Sequence, residues 1–166
     1  QALPAPITDP ATGQLLALPP EDGQRDAWGV SRSWGWATAE MLGINFVSTA
    51  LNEYTRGESS YPITPRTIEH TTEQGFKYDD NESKTNQLIH PFNGATYYNA
   101  ARANGIGFWG SSAMSVVGAF VWECCGETHP ISFNDMDSTG IGGIARGEMA
   151  YRISSAILDN TKRGKG

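Results

Sequence analysis

The stretch "FWGSSAMSVVGAFVWECCGETHPISFND", Phe108–Asp135, decides how this chain folds. It begins with aromatic and small residues and carries no charge before Glu123; Glu127, His129 and Asp135 then follow closely. Gly126 falls where an apolar helix would stop. Ser132 and Asp135 have the S-x-x-D spacing of a capping box, the shorter Asp replacing the usual Glu. One helix capped at Ser111 or Ser112, a polar corner, and a second helix starting near Ser132 to Asn134 are therefore expected.

Outward from that corner, the C-terminal helix carries Gly140, Gly143 and Gly147 at steps of three and four, a small-residue stripe that lets another helix come close. Each helical glycine costs about 0.8–1 kcal/mol of propensity, so packing there must return more. Toward the N-terminus, "NQLIHPFNGATYYNAARANG" (Asn86–Gly105) predicts a helix with Pro91 in its first turn and Asn104-Gly105 as its stop. Gly94, Tyr98 and Arg102 share one side of it, while His90, Asn93 and Tyr97 share another. "SRSWGWATAEMLGINFVSTALNEYTRGE" (Ser31–Glu58) predicts a further helix capped by Ser33. Between these two, Ser59–Thr85 is an excursion over the bundle, with a short helix from Pro65 to about Gly75. Strand-like alternation of convincing length is missing. The fold class is all-α, a bundle of about four main helices behind a Pro-rich extended N-terminal segment.

That segment, residues 1–30, holds five of the nine prolines near its start and reads as a tether to a helical domain over 31–160. Residues 161–166 form a short basic tail. A chain of 166 residues suits one ordinary domain. The net charge of −6 and pI near 5.0 argue against a nucleic-acid partner, since no basic stripe exists to neutralise phosphates. The chain opens without an initiator Met or signal peptide, as at a mature N-terminus or at the edge of an excised domain; such a tether would suit a protein exported to a bacterial envelope. Ala103–Trp122 is uncharged and close to the roughly 20 residues needed to span a bilayer. The Asn-Gly stop interrupts that run and Gly and Ser dilute it, so a bundle or membrane-surface helix is expected instead.

Cys124 and Cys125 are adjacent, and helical geometry points their side chains apart, so a structural bridge is excluded and packing is expected. Nucleotide-binding, zinc-protease and nucleophile-elbow signatures are missing. What remains is a set of polar residues at helix ends. Glu123 and Glu127 would share a face if their helix continued past Gly126. In an antiparallel arrangement they meet Asn134 and Asp135, and His90 arrives at the same end. His90, Glu123, Glu127 and Asp135 are the candidate catalytic residues, with His90 shuttling a proton and a carboxylate orienting it. The same set would suit a divalent cation, although the paired E-x-x-H motifs of di-iron bundles are missing. Alternatively the set is structural: Asp135 caps, Glu148 pairs with Arg152, and His90 bonds a backbone group. His70 and His129 lie in loop-like, exposed stretches.

Several blocks together carry a family resemblance: Asn86, His90, Pro91 and Gly94; Tyr98, Ala101, Arg102, Asn104 and Gly105; Trp122, Glu123, Gly126 and Glu127; Asn134 and Asp135; Gly142, Gly143, Gly147 and Glu148. From about Trp34 to Leu158 the chain resembles an uncharacterised bacterial family, the domain of unknown function numbered thirty-nine forty-three. It departs at "PISFND", where Ile131 separates proline from serine. The resemblance implies a protein exported to the bacterial cell envelope, periplasmic or outer-membrane, with a membrane or outer-membrane component as its partner. It implies no reaction. The expected function is a membrane-associated helical module with a scaffolding role; the alternative is a hydrolase or lipid-modifying enzyme built on the His and carboxylate cluster.

Overall fold

The computed structural model describes residues 7–8, 11–13, 15–17, 30–56, 64–78 and 85–162. Most of the expected tether and the end of the basic tail therefore lie outside the described residues. Within residues 1–30, β1 (Ile7–Thr8) pairs antiparallel with β2 (Leu15–Ala17). The other described residues are mainly helical: α1 (Trp34–Arg56), the short α2 (Pro65–Glu73), α3 (His90–Ala103), α4 (Phe108–Cys125) and α5 (Phe133–Lys162). An all-α bundle with four main helices is what forms.

α3 is the central helix, buried at His90, Pro91, Gly94, Ala95, Tyr97, Tyr98, Ala100 and Ala101. A π-helical turn, Thr85–Ile89, leads into it, and Arg146 of α5 holds that turn through the Leu88 carbonyl at 3.2 Å. The helix ends as the Asn-Gly pair predicts. Gly105 has φ +71°, its N–H donates to the Arg102 carbonyl, and the Ile106 N–H donates to the Ala101 carbonyl. These are the two bonds of a Schellman motif, and Ile106 is the apolar residue it tucks into the core.

That tuck moves the start of α4. With Ile106 drawn inward, the chain turns at once into the next helix, and Gly107 occupies the cap position. Ser111 and Ser112, the expected caps, lie inside the helix, where their hydroxyls donate back to the Ile106 and Phe108 carbonyls at 3.1 and 2.8 Å. α4 stops at Cys125, with Gly126 bonding back to the Trp122 carbonyl.

α3 and α5 run parallel and in register. His90 meets Thr139, Gly94 meets Gly143, Tyr98 meets Gly147 and Arg102 meets Tyr151, each pair 49 positions apart. A row of every fourth residue on one helix thus lies on a row of every fourth residue on the other. His90 belongs to the Gly94 row and not, as expected, to the side of Asn93 and Tyr97, because it stands one turn before Gly94 and meets α5 at Thr139. Glycine makes the contact: a Cβ on Gly143 would lie 2.5 Å from the Gly94 backbone, and one on Gly147 would lie 2.7 Å from the Tyr98 ring. Ser115 of α4 closes the crossing, its Oγ 3.1 Å from the Gly94 carbonyl and 3.1 Å from that of Gly140.

α1 is attached more lightly. Ala37 and Met41 join Tyr97, Ala101, Ile106 and Met114 in the apolar core, and the Tyr97 hydroxyl donates to Asn45 Oδ1 at 3.1 Å. Ser33 caps it through Trp36 N–H at 3.4 Å. The excursion after α1 does pack on the bundle. Thr64 and Thr67 form the capping box of α2, and β3 (Phe76–Lys77) pairs in parallel with β4 (Ile131–Ser132). Phe76 stacks on Phe133 with ring centroids 4.8 Å apart, so the end of this segment lies over the start of α5, while α2 lies against α4.

Candidate functional site

The polar corner forms where α4 ends and α3 and α5 begin. Ser132 is the N-cap of α5, its Oγ accepting from the Asp135 N–H at 3.2 Å. In a capping box the residue at the Asp135 position would reach back to the Ser132 N–H. Here Glu123 does so from α4, accepting that N–H at 3.0 Å. The box is therefore completed across two helices. Asp135, too short for the return bond and relieved of it, turns to Asn134 Nδ2 at 3.0 Å and faces His90 Nε2 at 3.7 Å. His90 Nδ1 lies 3.1 Å from Thr139 Oγ1, one turn further along α5.

Glu127 does not share a helical face with Glu123, because α4 has already ended. It folds back instead and accepts the Trp122 indole N–H at 2.8 Å. Burial raises its pKa; the Trp122 bond and the fields of His90 and His129 lower it, and Asp135 raises it. His90, Glu123, Glu127, Asn134 and Asp135 are thus brought to one corner, as the connectivity of antiparallel helices predicts.

Thr139 hydrogen-bonds His90, and Asp135 stands 3.7 Å from the other ring nitrogen, beyond hydrogen-bonding distance; the order suggests a nucleophile with its base, but all three residues are buried. His90 is 5% exposed, Glu123 2% and Asp135 1%. A general base must come within hydrogen-bonding reach of a substrate proton, and these atoms are packed between helices. Among the described residues, no group of three or more His, Cys, Asp or Glu side chains is arranged to hold a metal ion. The cysteines stand apart from the chemistry. Cys124 is buried and free, and burial together with a side-chain hydrogen bond to the Cys125 thiol pushes its own thiol up to about 12, which keeps it protonated. His70 and His129 are exposed.

A second polar cluster, which spacing alone did not group, lies at the other end of the α3–α5 contact. Glu148 accepts from the Tyr98 hydroxyl and from Arg152 Nε at 2.7 Å, with Arg102 Nε 3.8 Å away. The Arg102 guanidinium covers the Tyr151 ring at 3.8 Å. Of its members, only the Glu148–Arg152 pair was legible as an i, i+4 contact. Burial and the Glu148 bond raise the Tyr98 pKa well above the ordinary phenol value. The sequence signal for the rest is the repetition of four-residue steps on both helices, which becomes readable once the two rows are known to face each other. Asn86 sits in the π-helical turn, and its side chain lies outside the described residues.

The residues of both clusters and of the glycine crossing lie within the stretch that identifies the chain. Residues 75–166, more than half of it, match the family described as a domain of unknown function, DUF3943. The chain belongs to that family. Comparisons with curated proteins and with solved structures returned no match. The DUF3943 region includes α3, α4 and α5 with the whole polar corner, and leaves α1 outside it.

Proposed function

We propose that this DUF3943 protein is a non-catalytic helical module of the bacterial envelope, a rigid membrane-associated scaffold. One observation carries the reading: the residues able to do chemistry are spent on holding helix ends together. Glu123 caps α5 from α4, Ser132 caps it from within, and His90 ties α3 to α5 through Thr139 and Asp135. The outer surface supports the membrane part of the reading, because large apolar side chains stand exposed on α1, α4 and α5 while Glu123, Asp135 and His90 are inside. No described helix is long and apolar enough to cross a membrane, so association at a surface is the form proposed. The envelope location follows the family resemblance.

Diethyl pyrocarbonate labelling of the folded protein, read by mass spectrometry, tests the structural role. His70 and His129 should modify readily and His90 should stay protected until the protein unfolds. Rapid labelling of His90 in the folded state would show an open site and favour the hydrolase reading, with Glu123, Glu127 and Asp135 as its carboxylates. Flotation with phospholipid vesicles tests the membrane part. Protein that stays at the bottom of the gradient would sink it.

A further inference from the structure

We propose that Asn104 is a site of spontaneous deamidation, and that its conversion to a carboxylate acts as a one-way release of α1. The chain has two Asn-Gly pairs, Asn93-Gly94 and Asn104-Gly105. Both are open to the same reaction, because glycine leaves its amide nitrogen unshielded toward the preceding side chain. The glycine nitrogen bonds to the asparagine Cγ and gives up its proton, and Nδ2 leaves as ammonia, closing a cyclic imide. Water then opens the imide at either carbonyl, leaving aspartate or isoaspartate. One water is consumed, one ammonia is released, and no electrons are exchanged.

The fold separates the two pairs. Asn93 stands inside α3, and Gly94 lies at the crossing with α5, where even a Cβ would meet the Thr139 carbonyl and Gly143 Cα. Bending that backbone into an imide requires the two helices to part. Asn104 is instead the C-cap, with φ −98° and ψ 27°, and its residue is half-buried. The Gly105 N–H is tied to the Arg102 carbonyl at 3.1 Å. That bond belongs to the last turn of the helix, the part that frays first.

Much of the restraint on Asn104 comes from α1. Its Nδ2 donates to Glu40 Oε2 at 3.0 Å and to the Ala100 carbonyl at 2.9 Å, and its own carbonyl accepts the N–H of Ser33, the cap of α1, at 3.0 Å. The chain just before α1 covers Gly105, where a Cβ would lie 2.6 Å from the Val30 carbonyl. Deamidation reverses these contacts. A carboxylate at position 104 has no proton to donate, so it sets acceptor against acceptor at Glu40 and Ala100. It also places a negative charge at the C-terminal end of α3, where the helix dipole disfavours it. Isoaspartate further reroutes the main chain through Cβ and moves the carbonyl that holds Ser33. Lifting of α1 thus opens Asn104 to reaction, and reaction keeps α1 from seating again.

The test ages the full chain in mildly alkaline buffer and follows both pairs by peptide mapping with mass spectrometry. In the folded protein Asn104 should deamidate at least about tenfold faster than Asn93, and in urea the two should react alike. Glu40→Ala, at an exposed helical position, removes one acceptor and should speed the reaction of Asn104 about fivefold. Asn104→Asp should keep the helical circular dichroism of the wild type and raise hydrogen exchange in α1 at least about fivefold, with α5 unchanged. If that variant does not fold, aged wild type separated by charge gives the same comparison. Equal rates at Asn93 and Asn104 in the folded chain, or a Glu40→Ala rate equal to wild type, would overturn the site. Exchange in α1 that is the same before and after conversion would overturn the release.

Discussion

Glu127 shows how one side chain turns local geometry into a measurable pH response. Its ordinary pKa of 4.5 is raised in the fold, with burial the largest cause. A carboxyl whose folded pKa is raised contributes stability that is fully present below its unfolded value. That contribution is lost as pH rises through the folded value, because the folded protein then has to bury a charge. The wild-type melting temperature should therefore fall relative to Glu127→Gln as pH rises from about 4.5, and the variant should be the more stable above the transition. Gln keeps an oxygen to accept the Trp122 N–H, so the comparison isolates the charge. Parallel pH profiles for the two proteins would show that Glu127 does not titrate in this way. The sequence placed Glu127 near the corner by connectivity, but Gly126 ends the helix and sends the side chain back to Trp122 rather than along the Glu123 face.

Between elements, the α3–α5 contact is where the glycines matter. Gly94 and Gly143 bring two helix backbones together with no side chain between them, and the sequence alone gave only half of that arrangement. The four-residue steps Gly94-Tyr98-Arg102 and Gly143-Gly147 were legible as rows, since helical periodicity is local. Their partners were not, because nothing local sets which row meets which. A Cβ on Gly94 would collide with the Thr139 carbonyl and lie 2.8 Å from Gly143 Cα, and backbone cannot move aside as a flexible side chain can. Gly94→Ala should cost at least about 3 kcal/mol in chemical denaturation. Gly43→Ala, on exposed α1 with nothing within 4 Å of the added carbon, should instead stabilise by about 0.5–1 kcal/mol through helix propensity. Equal effects at the two sites would mean that the close crossing does not govern stability.

At the scale of the whole molecule, α3, α4 and α5 make a tightly crossed core, and α1 is held to it chiefly by Ala37, Met41 and the Tyr97–Asn45 bond. Beyond Asn45, Phe46, Val47, Leu51 and Tyr54 are exposed. Hydrogen exchange should be slowest in α3 and, among the helices, fastest in Phe46–Arg56. Tyr97→Phe leaves Asn45 Oδ1 without its donor at a cost of about 1 kcal/mol, and should speed exchange in α1 about fivefold. Exchange that rises equally in all four helices would show α1 to be integral to the core. The sequence by itself determined the helices, the Asn-Gly and Gly126 stops, the Ser132 cap and the gathering of His90, Glu123, Glu127 and Asp135 at one end. Each of these follows from periodicity, backbone preference or chain connectivity, which act over a few residues. Only the tertiary structure decided which rows of α3 and α5 meet and in what register, that Glu123 completes the cap of a neighbouring helix, and that the corner is buried. Those depend on which surfaces exclude water together, and neighbours 49 positions apart leave no mark on local sequence.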